Sequence, residues 1–261
     1  MGAATRASTA AGVDALLAVK RPAPEFGDEL LAAARIVASS HQLVTTLADP
    51  GIPGEQRSAL ASRVLASLGL QARQVVGVLA AGRWSEPADL VGAIESLGFR
   101  ALATAKGSDD LESQLFAVRR TIGSDGRLEL ALGAAAAPIE ARLALVDSLL
   151  KDAQPATRSI VRHVVQLPRG RKPVEAIEYA QSVVADARDR LVAVVQTAQR
   201  LTPAQATALA TRLESGYGRK IAVNQVVDPT LVGGIRITIG DDVIDGTVRA
   251  RLDDLRLRLA G

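Results

Sequence analysis

Apolar residues recur at helical spacing through the first 190 residues of the chain. Leu30, Leu31, Ala34, Val37 and Ala38 form one stripe, and Leu60, Val64, Leu65 and Leu68 form another, the three-and-four spacing of a helix with one buried face. Breakers separate these segments: Asp49-Pro50-Gly51, Pro53-Gly54, Gly69, Gly82 and Pro87, then Gly123 to Gly126, Pro138, Pro155 and Pro168 to Pro173. The pattern predicts short antiparallel helices packed as bundles.

The period is also duplicated. Shifting Glu29–Ala80 by 85 residues onto Gln114–Val165 leaves fourteen of 52 positions identical without a gap. Arg35/Arg120, Pro53/Pro138, Glu55/Glu140, Arg57/Arg142 and Arg73/Arg158 are matches that an Ala/Leu-rich composition does not supply by chance. The reading is two copies of one helical module, residues 1–106 and 107–190, with Lys106 to Asp110 as the joint and Asp or Ser capping the first helix of the second copy.

From Leu191 the pattern changes period. Leu191–Val195 is a β-branched run, Lys220–Val227 is a second, and Ile235, Ile237 and Ile239 alternate with Arg236 and Thr238 as a half-buried strand does. Between the first two, Thr202, Pro203 and Gln205 spell a capping box with proline at the first helical position, and Gly216 and Gly218 end that helix. Asp241-Asp242 turns the chain, Val243-Ile244 returns it, and a last helix would bury Val248, Leu252, Leu255 and Leu259. The fold class is therefore mostly α with a small α/β C-terminal domain: two tandem antiparallel helical bundles, then a β-α-β-β-α domain over residues 191–261 with one sheet edge covered by a partner or loop.

Composition narrows the function. With 48% hydrophobic but only 2% aromatic residues, the cores are packed by small and aliphatic side chains. The chain has no cysteine, which excludes disulfides and thiolate metal sites. The longest run without a charged residue, Ile36–Ala48, is too short to span a membrane, and MGAATR carries no secretory apolar core. A soluble cytoplasmic protein is expected. The net charge of +3 is spread evenly along the chain and stacking aromatics are scarce, which argues against nucleic-acid binding.

Candidate chemistry concentrates in residues 228–252, rich in glycine and aspartate. Gly233-Gly234 runs from a loop into a strand, whereas phosphate cradles run from a strand into a helix N-terminus. Asp241, Asp242 and Asp245 lack calcium-loop spacing, and Asp228-Pro229 opens a turn. These residues read as backbone scaffolding, with Asp245 as an N-cap. His41 and His163 read as structural or solvent-facing, and Trp84 as a packing residue anchored in a loop, or as an exposed interface anchor. The basic stretch Arg158–Lys172 reads as a solvated helix face and loop, or as a contact for an acidic partner segment. No catalytic residue, cofactor site or metal site is expected.

The stretch VDPTLVGGIRITIGDDVIDGTVRARLDDL resembles the C-terminal signature of the ATP synthase delta subunit family, which includes the oligomycin sensitivity-conferring protein. Asp228, Pro229, Gly233, Gly234, Gly240, Asp245 and Gly246 are the positions that carry the resemblance. The Gly-Arg with a following proline at 82–87 and again at 170–173 extends it weakly into the helical part. The resemblance implies a non-catalytic peripheral-stalk subunit of a proton-translocating ATP synthase. Its helical bundles would receive N-terminal segments of the alpha subunits, and its C-terminal domain would engage the end of the b subunit. It would lie on the cytoplasmic face of the bacterial membrane, associated only through the complex. The family usually has one bundle, so the duplication is a departure; residues 5–20 look like that bundle's first helix, the second copy begins at the equivalent of its second helix, and the resemblance implies that the last helix of the first copy, about Asp89–Ala105, substitutes for the missing partner. The rival readings are an enzyme with a site assembled from scattered polar residues, and a generic helical adaptor or nucleic-acid module.

Overall fold

In a computed structural model the described residues are 2–23, 25–134, 136–188, 191–218, 221–231, 233–239 and 242–247. They divide into two compact units, residues 1–188 and 189–261. The first contains helices α1 (Ala3–Ala18), α2 (Phe26–Ala38), α3 (His41–Ala48), α4 (Gly54–Val64), α5 (Leu70–Ala81), α6 (Pro87–Ala103), α7 (Leu111–Ser124), α8 (Gly126–Gly133), α9 (Ile139–Leu149), α10 (Pro155–Gln166) and α11 (Pro173–Arg188).

Helices α7 to α10 each begin 85 residues after α2 to α5. The correspondence reaches individual bonds. Glu29 Oε1 accepts from the Gly69 N–H at 2.7 Å, and Gln114 Oε1 accepts from the Gln154 N–H at 3.0 Å. Arg57 Nη1 donates to the Leu47 carbonyl at 3.2 Å, and Arg142 Nη1 to the Leu132 carbonyl at 3.5 Å. Pro53 and Pro138 precede α4 and α9 with nearly the same backbone angles.

Each copy has its own core. Leu30, Val37, Leu47, Leu65, Leu79 and Ile94 belong to the first, and Leu115, Ile122, Val146, Ile160 and Ile177 to the second. Helix α6 serves both. Every residue from Leu90 to Phe99 is buried, the signature of a helix enclosed on all sides. Leu90 and Ile94 pack in the first core while Phe99, Leu102 and Ala103 pack in the second. Each fully buried Leu, Ile or Phe there contributes about 1.5–3 kcal/mol of apolar transfer. As α1 packs on α5 and α6, so α6 packs on α10 and α11. Helix α6, Pro87–Ala103, spans most of the segment expected near Asp89–Ala105 and contacts both copies. Because of this sharing, residues 1–188 form one compact unit.

One expectation fails at the joint. Neither Asp nor Ser caps α7 through its side chain. Ser108 Oγ instead donates backward to the carbonyls of Ala103 and Ala105 at 2.9 and 2.7 Å, closing the end of α6. The carbonyls left open at a helix C-terminus compete for the hydroxyl, and here they win.

The second unit contains β1 (Leu191–Thr197), α12 (Pro203–Tyr217), β2 (Ile221–Val227), β3 (Ile235–Ile239) and β4 (Asp242–Asp245). The sheet order is β2-β1-β3-β4. Strands β1 and β2 are parallel, joined by the α12 crossover, while β3 is antiparallel to β1 and β4 to β3. The capping box forms: Thr202 Oγ1 accepts from the Gln205 N–H, and Gln205 Oε1 accepts from the Thr202 N–H. Val195, Leu213, Ile221, Ile237 and Ile239 make the core. The expected last helix at Val248–Leu259 lies outside the described residues. No described helix is long and apolar enough to cross a membrane.

Candidate functional site

The aspartates of the tail are engaged within their own turns. Asp228 Oδ1 accepts from Thr230 N at 2.9 Å and from Thr230 Oγ1 at 2.7 Å, which holds its carboxyl below the usual range. Asp245 Oδ1 accepts from Thr247 N at 3.0 Å, with the same effect. Both are Asx turns, in which a short carboxylate closes the backbone two residues on. The Asp228 N–H donates to the Thr197 carbonyl and the Gly246 N–H to the Ile235 carbonyl, each at 2.9 Å. These bonds carry the chain past the ends of β2 and β4. Gly234 has φ of 86°, a left-handed conformation that L side chains rarely adopt. Pro229 follows Asp228 at an exposed turn, and Gly233 precedes β3. Gly240 and Asp241 lie outside the described residues; β3 and β4 on either side of them are antiparallel, Ile239 pairing with Asp242. Among the described residues no cluster of His, Asp or Glu could hold a metal ion.

In the helical unit the residues with unusual electrostatics meet where α6 touches the second copy. Glu95 and His163 are both fully buried. Glu95 Oε2 accepts from Arg169 Nη1 at 2.9 Å, with Arg171 Nη1 at 3.4 Å. Glu95 Oε1 faces His163 Nε2 at 3.4 Å. His163 Nδ1 faces Arg35 Nη1 at 2.9 Å, and the Phe99 ring meets the imidazole edge-on. Burial alone would raise the Glu95 carboxyl, but His163 and Arg169 outweigh it and leave the carboxyl below its ordinary value. Burial pushes His163 down, and Arg35 adds to that. Arg169 reaches Glu95 from a left-handed backbone, φ 52°, a conformation that costs about 1–3 kcal/mol and is offset here by its ion pair and its bond to the Ala88 carbonyl.

The basic stretch Arg158–Lys172 is therefore not a free solvated patch. Arg169 and Arg171 turn inward to Glu95, Arg162 pairs with Asp147, and Arg158 donates to the carbonyls that end α9. His163 is structural; His41 opens α3 at the surface. Trp84 anchors its loop, donating from Nε1 to the Leu79 carbonyl at 3.1 Å. The sequence reading missed the Glu95 network. Its one signal was a lone carboxylate inside the apolar run LVGAIESLGF.

The helical unit also carries an open groove of about 620 Å³ between α4 and α5, lined by Glu55, Ser58, Ser62, Arg73, Gly77 and Val78 among others. It contains no nucleophile–base pair and no buried acid. Its small side chains suit a docked helix rather than a reacting substrate.

Comparison with known proteins agrees with this geometry. The sequence profile of the family described as ATP synthase delta (OSCP) subunit matches residues 99–259. The chain is 41% identical over 264 residues to the ATP synthase subunit delta of Leifsonia xyli subsp. xyli, covering 100% of both chains. It is 37% identical over 245 residues to that of Streptomyces griseus subsp. griseus, covering 92% of this chain and 90% of the relative. To that of Acidothermus cellulolyticus it is 36% identical over 246 residues, with the same coverage. A chain that aligns end to end with delta subunits at this identity, and whose glycines and aspartates shape turns rather than a reaction centre, belongs to the ATP synthase delta (OSCP) subunit family.

Proposed function

We propose that this protein is a stator connector of a rotary, proton-translocating ATP synthase, a peripheral-stalk subunit with no catalytic role of its own. Its two helical copies, residues 1–106 and 107–190, receive amphipathic N-terminal segments of the alpha subunits. The α/β domain, residues 191–261, engages the C-terminal end of the b subunit. The protein then sits peripherally on the cytoplasmic face of the membrane, held there through the complex, and takes no cofactor. The tail residues Asp228, Pro229, Gly233, Gly234, Gly240, Asp245 and Gly246 serve as backbone scaffolding for the stalk contact. Membership of the delta family along the whole chain is the observation that carries this reading. Resistance to torque calls for slow dissociation and broad, packed interfaces, not a deep pocket.

A pull-down with purified alpha and b subunits tests it. The full chain should retain both. A chain ending at residue 188 should keep alpha and lose b. Loss of both on truncation, or retention of b, contradicts the division of labour.

A further inference from the structure

The two copies are joined along α6 by contacts of two different chemistries. The C-terminal half of α6 is held by the core of the second copy, where Phe99, Leu102 and Ala103 pack with Ile160, Ile177 and Val184. Arg100 pairs with Asp186 of α11, and Arg188 donates to the Ala103 carbonyl at 3.3 Å. The N-terminal half meets the second copy through charged groups, with Leu167 packed beside the first core. One end of the joint is apolar; the other can titrate.

The turn between α10 and α11 is strained around the titratable end. The Pro168 carbonyl accepts from the Arg171 N–H at 3.0 Å, and the two central residues, Arg169 and Gly170, have φ of 52° and 75°, both positive as a type I′ turn requires. An arginine keeps such a conformation only where its surroundings impose it. Here they do. The Arg169 guanidinium lies in a notch at Gly92, where an added Cβ would come 2.6 Å from Nη1. From this notch it reaches Glu95 and the Ala88 carbonyl. Arg171 faces the same carboxylate and covers the Tyr179 ring, 4.0 Å from its centre.

His163, in the last turn of α10, sits against that carboxylate too. Charged and titratable groups approach it from every neighbouring element. They are Arg35 of α2, with Asp28 behind it; Glu95 of α6; Arg162 of α10, paired with Asp147 of α9; Arg169 and Arg171 of the turn; and Tyr179 of α11. While the ring is neutral, Nδ1 accepts from Arg35. A second proton there sets donor against donor and cation against cation. In the first copy Val78 stands at the position of His163, so the imidazole belongs to this contact and not to the repeated module. Burial and Arg35 hold the ring's pKa below its ordinary value in the closed contact, against the pull of Glu95. A hydrated ring binds the proton more tightly, so acid favours opening. We infer that this contact is a proton-operated latch: protonation of His163 drives α10 from Arg35, draws Arg169 out of the Gly92 notch and off Glu95, and lets the second copy swing about the C-terminal half of α6. The strained turn relaxes as it leaves, and both apolar cores stay intact. The helical unit is stiff with the latch shut and jointed with it open.

Spin-label distances in the full-length protein test the latch. The chain has no cysteine, so labels on Gln42→Cys of α3 and Ser148→Cys of α9, both exposed positions, report the separation of the copies. A control pair, Gln42→Cys with Ser67→Cys, lies within the first copy. From about pH 7.5 to about pH 5, across the histidine range, the inter-copy distribution should shift and broaden reversibly while the control pair stays fixed. His163→Gln should keep the neutral-pH distribution throughout. Gly92→Ala, which fills the notch, should show the open distribution already at the higher pH. Circular dichroism and the control pair report folding; if Gly92→Ala does not fold, the unsubstituted latch and His163→Gln decide. An inter-copy distribution that acid leaves unchanged, the same shift in His163→Gln, or a control pair that changes in step overturns the latch.

Discussion

Arg35 Nη1 lies 2.9 Å from His163 Nδ1, and this contact decides which ring nitrogen carries the proton. A guanidinium can only donate, so Nδ1 accepts and the neutral ring bears its hydrogen on Nε2, facing Glu95 Oε1. A second proton would place an N–H opposite a permanent cation, on an imidazole that is itself fully buried. Burial and Arg35 both depress the His163 pKa below its ordinary value, against the pull of Glu95. Other ionisable groups nearby are Arg169 and Arg171 on the α10–α11 loop and Tyr179 on α11, whose own pKa burial raises.

The pH dependence follows with a definite sign. The unfolded chain titrates its histidine near the reference value of about 6.5, while the folded chain does so lower. Between those values the unfolded state binds more protons, so stability rises with pH there. The His163 contribution is fully present above about pH 6.5 and is lost as pH falls toward the folded value. Melting temperatures measured by circular dichroism from about pH 7.5 to 5 should decline on acidification. His163→Gln should lower the curve and flatten it. A wild-type profile no steeper than that of His163→Gln would exclude the histidine as the source.

Glu95 neutralises cations that enter the fold from a different copy. Its carboxylate is fully buried, whereas the Arg169 and Arg171 side chains are 19% and 25% exposed. Glu95→Gln keeps the shape but leaves both guanidinium groups facing an amide. Removing one partner of a buried pair costs about 3–5 kcal/mol, and partial hydration of the arginines lowers this to about 2–3 kcal/mol. Urea denaturation should show that loss. A variant as stable as wild type would mean that the arginines simply swing into solvent.

The duplicated arginines offer an internal comparison. Arg57 is 3% exposed and donates to four carbonyls: Leu47, Ile52, Ala81 and Gly82. It thereby ties the end of α3 to the end of α5. Among the described residues Arg142 reaches the carbonyls of Leu132 and Val165 alone, at 3.5 and 3.4 Å. A lysine has no planar fork to reach several acceptors at once. Arg57→Lys should cost about 2–4 kcal/mol, each orphaned buried carbonyl contributing about 1 kcal/mol or more. Arg142→Lys should cost less than half as much. Equal costs would show that the long contacts of the second copy matter as much as the short ones of the first.

Much of this architecture is written in local patterns. Helical stripes, prolines and the 85-residue repeat locate α2 to α5 and α7 to α10, because each is set by its own spacing and breakers. Thr202, Gln205 and Gly218 fix α12 for the same reason: their bonds are confined to its ends. The Glu95–His163–Arg35 network was not legible, since residues 35, 95 and 163 meet only after two copies fold against one helix. The open groove was hidden for a related reason. Its emptiness comes from what Ser62 and Gly77 lack relative to Asp147 and Arg162, and that shows only when the repeat is laid onto the packed helices. Ser108 was misplaced because a hydroxyl between two helices can serve either end.

Gly234 is the tail residue whose type the backbone demands. Its φ of 86° precedes β3 directly, where Ile235 begins pairing with Thr197 of β1 and its carbonyl accepts the Gly246 N–H at 2.9 Å. A β-branched residue forced into this region costs about 1–3 kcal/mol. The alternative is to rotate the backbone back, which would disturb both the β1 pairing and the Gly246 bond. Gly234→Val should therefore speed amide hydrogen exchange at Ile235–Ile239 and Gly246 while leaving α2 to α6 protected. It should also weaken capture of the b subunit relative to Gly234→Ala, which shares the unfavourable φ but adds no branch. Unchanged exchange in β3 would show that the loop absorbs the side chain and that glycine is not required there.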